Sequence, residues 1–285
     1  MNLCSLANPK VKHVVRLRQR SHRDSAKQML IEGYRECRRA LDHSCMPQML
    51  FYCEELYLKN LNEPAIVEQC RQLGAQCFSC SVPVFKKIAY RERPDGLLIV
   101  APQLSLQLSD LQLPSNALVV VAESIEKPGN LGTILRSADA AGVHAVIVCN
   151  RCTDIHNPNV VRASTGTIFS IPIVESTTEE ALSFLRKNNF RILAATPHAE
   201  ALHSDVNLTE NIAVAIGTEQ YGLTQRWMEE ADLRVRIPML GVADSLNVSA
   251  ATTILLFEAV RQRIAAGLIG IPAHEPWHGE TSFDA

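Results

Sequence analysis

The stretch SIEKPGNLGTILRSADAAG (residues 124–142) sits between two apolar runs, ALVVVAE (117–123) and VHAVIVCN (143–150). It reads as strand, glycine turn, helix, strand. That order suits a nucleotide-binding α/β unit, yet Gly129 and Gly132 make G-x-x-G rather than the dinucleotide G-x-G-x-x-G. The turn carries an amide, Asn130, and the helix after it carries Arg136. Neither residue belongs to a phosphate-cradling loop, so the stretch raises a question of chemistry as well as of fold.

The alternation continues downstream. Strands are expected at 117–123, 143–149, 190–195, 211–217 and 233–237. Helices are expected near 131–141, 177–188 and 220–230, with a last long one from about 248 to 266. Strands alternating with helices predict an α/β fold with a parallel sheet covered on both faces. Upstream, Lys10 to Leu41 has a helical pattern, with Met29, Tyr34, Cys37 and Leu41 at helix-like spacing. QMLFYCEEL (48–56), AQCFSCS (75–81) and DGLLIVAP (95–102) read as strands. NEPAIVEQCRQLG (62–74) reads as a helix closed by Gly74. The expected layout is a smaller N-terminal α/β domain at 1–100, a proline-bounded linker at 101–116, and the regular α/β domain at 117–285.

Composition bounds the function. The chain has 285 residues, 47% hydrophobic and 20% charged, a globular mix with no apolar run of membrane-spanning length. The N-terminus lacks a signal-peptide core, and nine cysteines in such a chain are expected as cytoplasmic thiols. Net charge is −2 but uneven: residues 1–116 hold 16 Lys+Arg against 11 Asp+Glu, and 117–285 hold 12 against 19. Residues 10–39 alone carry 10 basic and 3 acidic side chains, which suits either a polyanion contact or a solvated helix face. No metal is expected. HEPWH (274–278) imitates a zinc-protease helix, but Pro276 breaks it. Cys70, Cys77 and Cys80 lack a fourth ligand and read as thiols packed in and around a strand.

Two further stretches follow strand ends. IAVAIGTEQYGLTQRWMEEAD (212–232) ends its strand at Gly217, places Glu219 in a turn, and enters a helix after Gly222-Leu223. RVRIPMLGVADSLNVSAATTILLFEAV (234–260) runs from strand to loop to Ser245-Leu246-Asn247, where Asn247 is a good helix N-cap. Each could be merely a turn or a cap. Together they place polar groups beyond the carboxyl ends of strands of one sheet, where ligands of such sheets bind.

N-x-G-x-x-x-R at Asn130, Gly132 and Arg136, G-x-E-x-x-G-L at 217–223 and I-P-M-x-G-x-x-x-S-L-N at 237–247 resemble, in that order, the SpoU (TrmH) family of the SPOUT superfamily. LIEGYRECRRAL and RPDGLLIVAP resemble, more loosely, the substrate-binding domain of its ribosomal-RNA members, including 23S rRNA guanosine-2′-O-methyltransferases. The resemblance implies an RNA ribose 2′-O-methyltransferase using S-adenosylmethionine, with a deep trefoil knot in the C-terminal domain and an active site drawn from both chains of a homodimer. It implies that Gly217, Ile237 and Leu246, with Thr196, hold the cofactor. Asn130 and Arg136 then face the RNA, Glu219 orients Arg136, and Ser245 and Asn247 complete a polar wall at the hydroxyl. Arg136 acts there either as a base assisted by a phosphate or as a stabiliser of the developing alkoxide. Large-subunit rRNA is the expected substrate. Transfer RNA is the alternative within the class, and a non-catalytic RNA-binding or ribosome-assembly protein and a NAD-linked oxidoreductase are the alternatives outside it.

Overall fold

In the computed structural model, which describes residues 2–58 and 61–271, the stretch with a helical pattern at 10–41 is interrupted by a strand. Its elements are α1 (Pro9–Arg16), α2 (Arg20–Ala26), β2 (Gln28–Glu32) and α3 (Tyr34–Asp42), after a short β1 (Asn2–Leu3). Met29, Leu30 and Ile31 are buried consecutively, which a strand covered on both faces achieves and one face of a helix does not. Gly33 then turns the chain at φ +110°, where a Cβ would lie within 2.4–2.7 Å of the Glu36 carboxylate and the Arg91 guanidinium.

The rest of this unit comprises β3 (Met49–Tyr52), α4 (Glu63–Gln72), β4 (Gln76–Cys80), α5 (Val82–Ile88) and β5 (Leu97–Pro102). The strand order is β1-β4-β3-β5-β2, with β5 antiparallel to both of its neighbours. The core joins Val11 and Val14 of α1 and its C-cap Leu17 to Val84, Phe85 and Ile88 of α5 over Phe51 and Phe78, whose rings sit 5.2 Å apart. Several basic residues of 10–39 serve this fold. Arg23 is buried and donates to the Leu17 and Arg18 carbonyls, and Lys10 lies over the Phe78 ring. Lys12, Arg16 and Lys27 remain exposed. Burial pushes the Cys70 and Cys80 thiols up to about 12, so both stay protonated. Among the described residues no cluster of His, Cys, Asp or Glu is placed to hold a metal; HEPWH lies outside them.

The second unit carries β6 (Leu118–Glu123), α6 (Pro128–Ala140) and β7 (Ala145–Cys149). The chain then enters the first unit for His156–Ser170, including α7 (Pro158–Ala163). There Val160 and Val161 are buried, and Arg39 donates to the Thr165 carbonyl (2.6 Å) and hydroxyl (2.8 Å). The second unit resumes with β8 (Ile173–Ser176), α8 (Thr178–Lys187), β9 (Arg191–Ala195), β10 (Ala201–Leu202), β11 (Ile212–Ile216), α9 (Gln225–Glu230), β12 (Leu233–Arg236) and α10 (Val248–Ala265). All five expected strands are present; β8 and β10, short and weakly patterned, are additions.

The seven strands are parallel, in the order β10-β12-β9-β11-β6-β7-β8. β6, β7 and β11 are buried along their whole length, as an apolar run in a doubly covered sheet must be. One face packs on α8 and α9, with Trp227 fully buried. Leu108, Leu111 and Leu113 join that cluster, so much of the stretch read as linker packs on the core, and the contact boundary falls at Leu104–Ser105. Helices α6 and α10 pack together through the Ser137 and Thr253 hydroxyls at 2.7 Å. At the far end of α10 the buried Arg263 donates to the carbonyls of Asn116, Leu208 (3.0 Å) and Glu210 (2.7 Å), just before β6 and β11. This fixes the helix antiparallel to the strands and sets its N-terminus at their carboxyl ends. Among the described residues no helix is long and apolar enough to cross a membrane.

Candidate active site

β6 and β11 are neighbours in the sheet, but the chain leaves them in opposite directions. β7 and β8 follow β6 on one side, while β9, β12 and β10 lie on the other. This is a topological switch point, where the loops beyond the strands diverge and leave a crevice. A pocket opens there, lined by Ile125, Glu126, Lys127 and Asn130 after β6, Thr218 and Glu219 after β11, and Val248 at the start of α10.

Three loops meet in it. The first enters α6 through Pro128, whose fixed φ suits a first helical position, and places Asn130 in the first turn. The second folds back on itself. Thr218 and Gly222 exchange two backbone hydrogen bonds of 3.0 Å, and a Cβ on Gly217 would lie 2.1 Å from the Gly222 carbonyl. Only glycine fits at 217, and the turn it permits projects Glu219. The third brings Asn247 as the N-cap of α10; its Oδ1 accepts from the Ser249 amide (3.1 Å) and hydroxyl (2.6 Å).

Capping occupies one end of the Asn247 amide and leaves the other free. Its Nδ2 donates to Glu219 Oε1 at 2.6 Å and to Asn130 Oδ1 at 3.2 Å. Asn130 Nδ2 donates to the same Glu219 oxygen at 2.6 Å, and the Lys127 ammonium donates to Oε2. One residue from each motif thus enters a single network. The Lys127 hydrogen bond, then that of Asn130, hold the Glu219 carboxyl below the usual carboxylate range. Glu219 is therefore an ionised acceptor, suited to orienting donors and poor as a base.

Residues assigned to the cofactor lie along the same edge. Ile237, Thr196 and Gly217 directly follow the adjacent strands β12, β9 and β11. The Thr196 amide donates to the Val235 carbonyl (3.0 Å), closing β9 onto β12. From Ile237 to Leu246 the chain has no regular structure, and among the described residues its amides enter no backbone hydrogen bond. Free peptide groups flanked by Ile237 and Leu246 are a donor and acceptor set that fits an adenine edge and its apolar faces.

Arg136 and Ser245 stand apart. Arg136 is exposed on α6, six residues past Asn130, so the two point in different directions around the helix. The expected Arg136–Glu219 hydrogen bond is absent, because Lys127, Asn130 and Asn247 take that carboxylate; among the described residues Arg136 has no polar partner. Ser245 is exposed and likewise makes no side-chain hydrogen bond among them. The sequence reading missed two residues. Lys127 gave no signal beyond its charge. Glu123 did, since a carboxylate ending a fully apolar strand must find donors when buried.

A family model described as "SpoU rRNA Methylase family" matches residues 117–257, and one described as "MRM3-like substrate binding domain" matches residues 8–99. A 23S rRNA (uridine(2479)-2′-O)-methyltransferase of Streptomyces viridochromogenes is 30% identical over 259 residues, covering 87% of this chain and 88% of that protein. A 23S rRNA (guanosine(2553)-2′-O)-methyltransferase of Bacillus subtilis is 27% identical, covering 89% of this chain and 96% of that protein. The crystal structure of an AdoMet-bound rRNA methyltransferase from Sinorhizobium meliloti superposes with a TM-score of 0.84 at 30% identity, covering 92% of this chain and 97% of that one.

Proposed function

Since the chain belongs to the SpoU rRNA methylase family, we infer that it is an S-adenosylmethionine-dependent methyltransferase acting on the ribose 2′-hydroxyl of RNA, with 23S-type rRNA as its substrate. The observation that carries the reading is the Asn130–Glu219–Asn247 network, which unites the three motifs at the switch point of the sheet. When bound, S-adenosylmethionine supplies a methyl group already activated on a sulfonium, so the protein's part is to place the hydroxyl and manage its proton. Gly217, Ile237, Leu246 and Thr196 would hold the cofactor. Asn130, oriented by Glu219, would hold the ribose, and Ser245 and Asn247 its surroundings.

The Arg136 guanidinium offers donors and no acceptor, and among the described residues no carboxylate pairs with it. That favours stabilisation of the developing alkoxide, with the adjacent phosphate, over action as a base. Its outward position on α6 supports a site assembled by two chains. Ile254, Phe257 and Ile264 lie exposed at helical spacing on α10, followed by Leu268 and Ile269, an apolar stripe suited to a homodimer. The irregular passage 237–246, which delivers Asn247 to the Glu219 turn, is the segment we assign to the trefoil knot. The same reading places the enzyme in the cytoplasm with its RNA.

The test is to map 2′-O-methyl groups in rRNA and tRNA from cells with and without the protein. A nucleotide of large-subunit rRNA should lose its methyl. Loss in tRNA alone would move the substrate to that class, and no loss anywhere would make the chain a non-catalytic RNA-binding protein.

A further inference from the structure

Glu123 ends β6 and is 1% exposed. A carboxylate buried there is costly unless donors surround it. Among the described residues no cation pairs with it, and its donors come from three separate segments. Thr224, at the exit of the second loop, donates its amide to Oε2 (2.8 Å) and its hydroxyl to Oε1 (2.9 Å). Asn150, just past β7, donates Nδ2 to Oε1 at 3.2 Å, and Thr178, at the start of α8, donates its hydroxyl at 3.3 Å.

We propose that Glu123 is a positioning residue of the methyltransferase site, holding the 217–224 loop in place through Thr224. The connection is short. Thr224 follows Leu223, which is buried, and Gly222, which pairs with Thr218 and packs on Gly217. A loop closed so tightly moves as one piece. Its position along β6 sets both where Gly217 faces the cofactor and where Glu219 meets Asn130 and Asn247. Both oxygens act as acceptors, Oε2 of the Thr224 amide and Oε1 of the Asn150 Nδ2. In Glu123→Gln one of them becomes an amide nitrogen, which faces either the Thr224 N–H or the Asn150 amide donor. The proposal rests on the reading of Gly217 and Glu219 given above.

The partners separate positioning from plain stability. Thr224 and Thr178 each give Glu123 a hydroxyl donor, but only Thr224 belongs to the loop. Thr224→Val, Thr178→Val and Glu123→Gln would be compared in the full chain by calorimetric binding of S-adenosylmethionine, single-turnover methylation of a 23S rRNA fragment and thermal unfolding. Thr224→Val keeps the carboxylate and the backbone bond, so it serves even where Glu123→Gln fails to fold. Thr224→Val and Glu123→Gln should each raise the dissociation constant about fivefold to tenfold, the effect of one lost hydrogen bond, and slow methylation at saturating cofactor. Thr178→Val should lower the melting temperature comparably and leave binding within about twofold. Wild-type binding by Thr224→Val, or equal weakening by Thr178→Val, overturns the proposal while the enzyme reading stands. A wild-type protein that binds no S-adenosylmethionine overturns the reading itself, and the proposal with it.

Discussion

Asn247→Asp separates the two jobs of Asn247. Aspartate caps a helix as well as asparagine does, and its charge suits the helix N-terminus, so the bonds to Ser249 should persist. The other end changes sign: an amide donating at 2.6 Å to Glu219 becomes a second carboxylate. Two charges ~4 Å apart repel by about 1 kcal/mol in water and about 4 at an effective dielectric of ~20. The Glu219 side chain is 30% exposed, so we take the lower part of that range, about 1–2 kcal/mol. Losing the donated hydrogen bond adds about 1 kcal/mol. A total of about 2–3 kcal/mol at the reacting centre corresponds to a rate loss on the order of 30- to 150-fold at pH 8. The pair should then share a proton more readily than either acid alone, so methylation should partly recover as pH falls toward 6. The same interaction is lost from the folded protein, so at about 2–4 °C per kcal/mol the melting temperature should fall by about 4–12 °C at pH 8. Single-turnover methylation from pH 6 to 8, beside thermal melts, reads all three. Full activity at pH 8 would refute the network as part of the ribose site, and a loss of stability well beyond that range would refute the retained cap.

Arg136→Ala should lose methylation by on the order of 100- to 1000-fold with cofactor binding and melting unchanged, and Arg136→Lys should restore only part, in single-turnover assays beside calorimetry. Gly217→Ala drives a Cβ to 2.1 Å from the Gly222 carbonyl, so calorimetry should show cofactor binding lost, with about 1–3 kcal/mol of destabilisation. Phe257→Asp places a charge on the apolar stripe of α10 and should give a monomer by sedimentation; an unchanged dimer would put the interface elsewhere. Wild-type Glu219, held below the usual carboxylate range, stays ionised as pH falls. Its contribution is full above the unfolded value of about 4.3 and lost only below it, so the pH–rate profile should show no Glu219 limb between pH 5 and 8.

Much of the second unit was legible because period and punctuation agree there. Runs such as LVVVAE and IAVAI are too short and too apolar to be anything but buried strands, and Pro128, Asn247 and Gly217 mark their turns by local chemistry. The motifs named the family, and with it the reaction. β2 was hidden, since MLI fits helix and strand alike until Gly33 and the cover on both faces decide it. The place of His156–Ser170 in the first unit was hidden too, because burial of Val160 and Val161 is a long-range fact that no local pattern carries. In the site, sequence supplied Asn130, Glu219 and Asn247 as separate residues. Only the tertiary structure gave Glu219 to the two asparagines and Lys127 rather than to Arg136. Helix phase turns Arg136 outward, and Arg263 sets α10 so that its cap arrives at the Glu219 turn. Hydrogen-bond partners follow from where rigid elements end in space, which spacing along the chain does not encode.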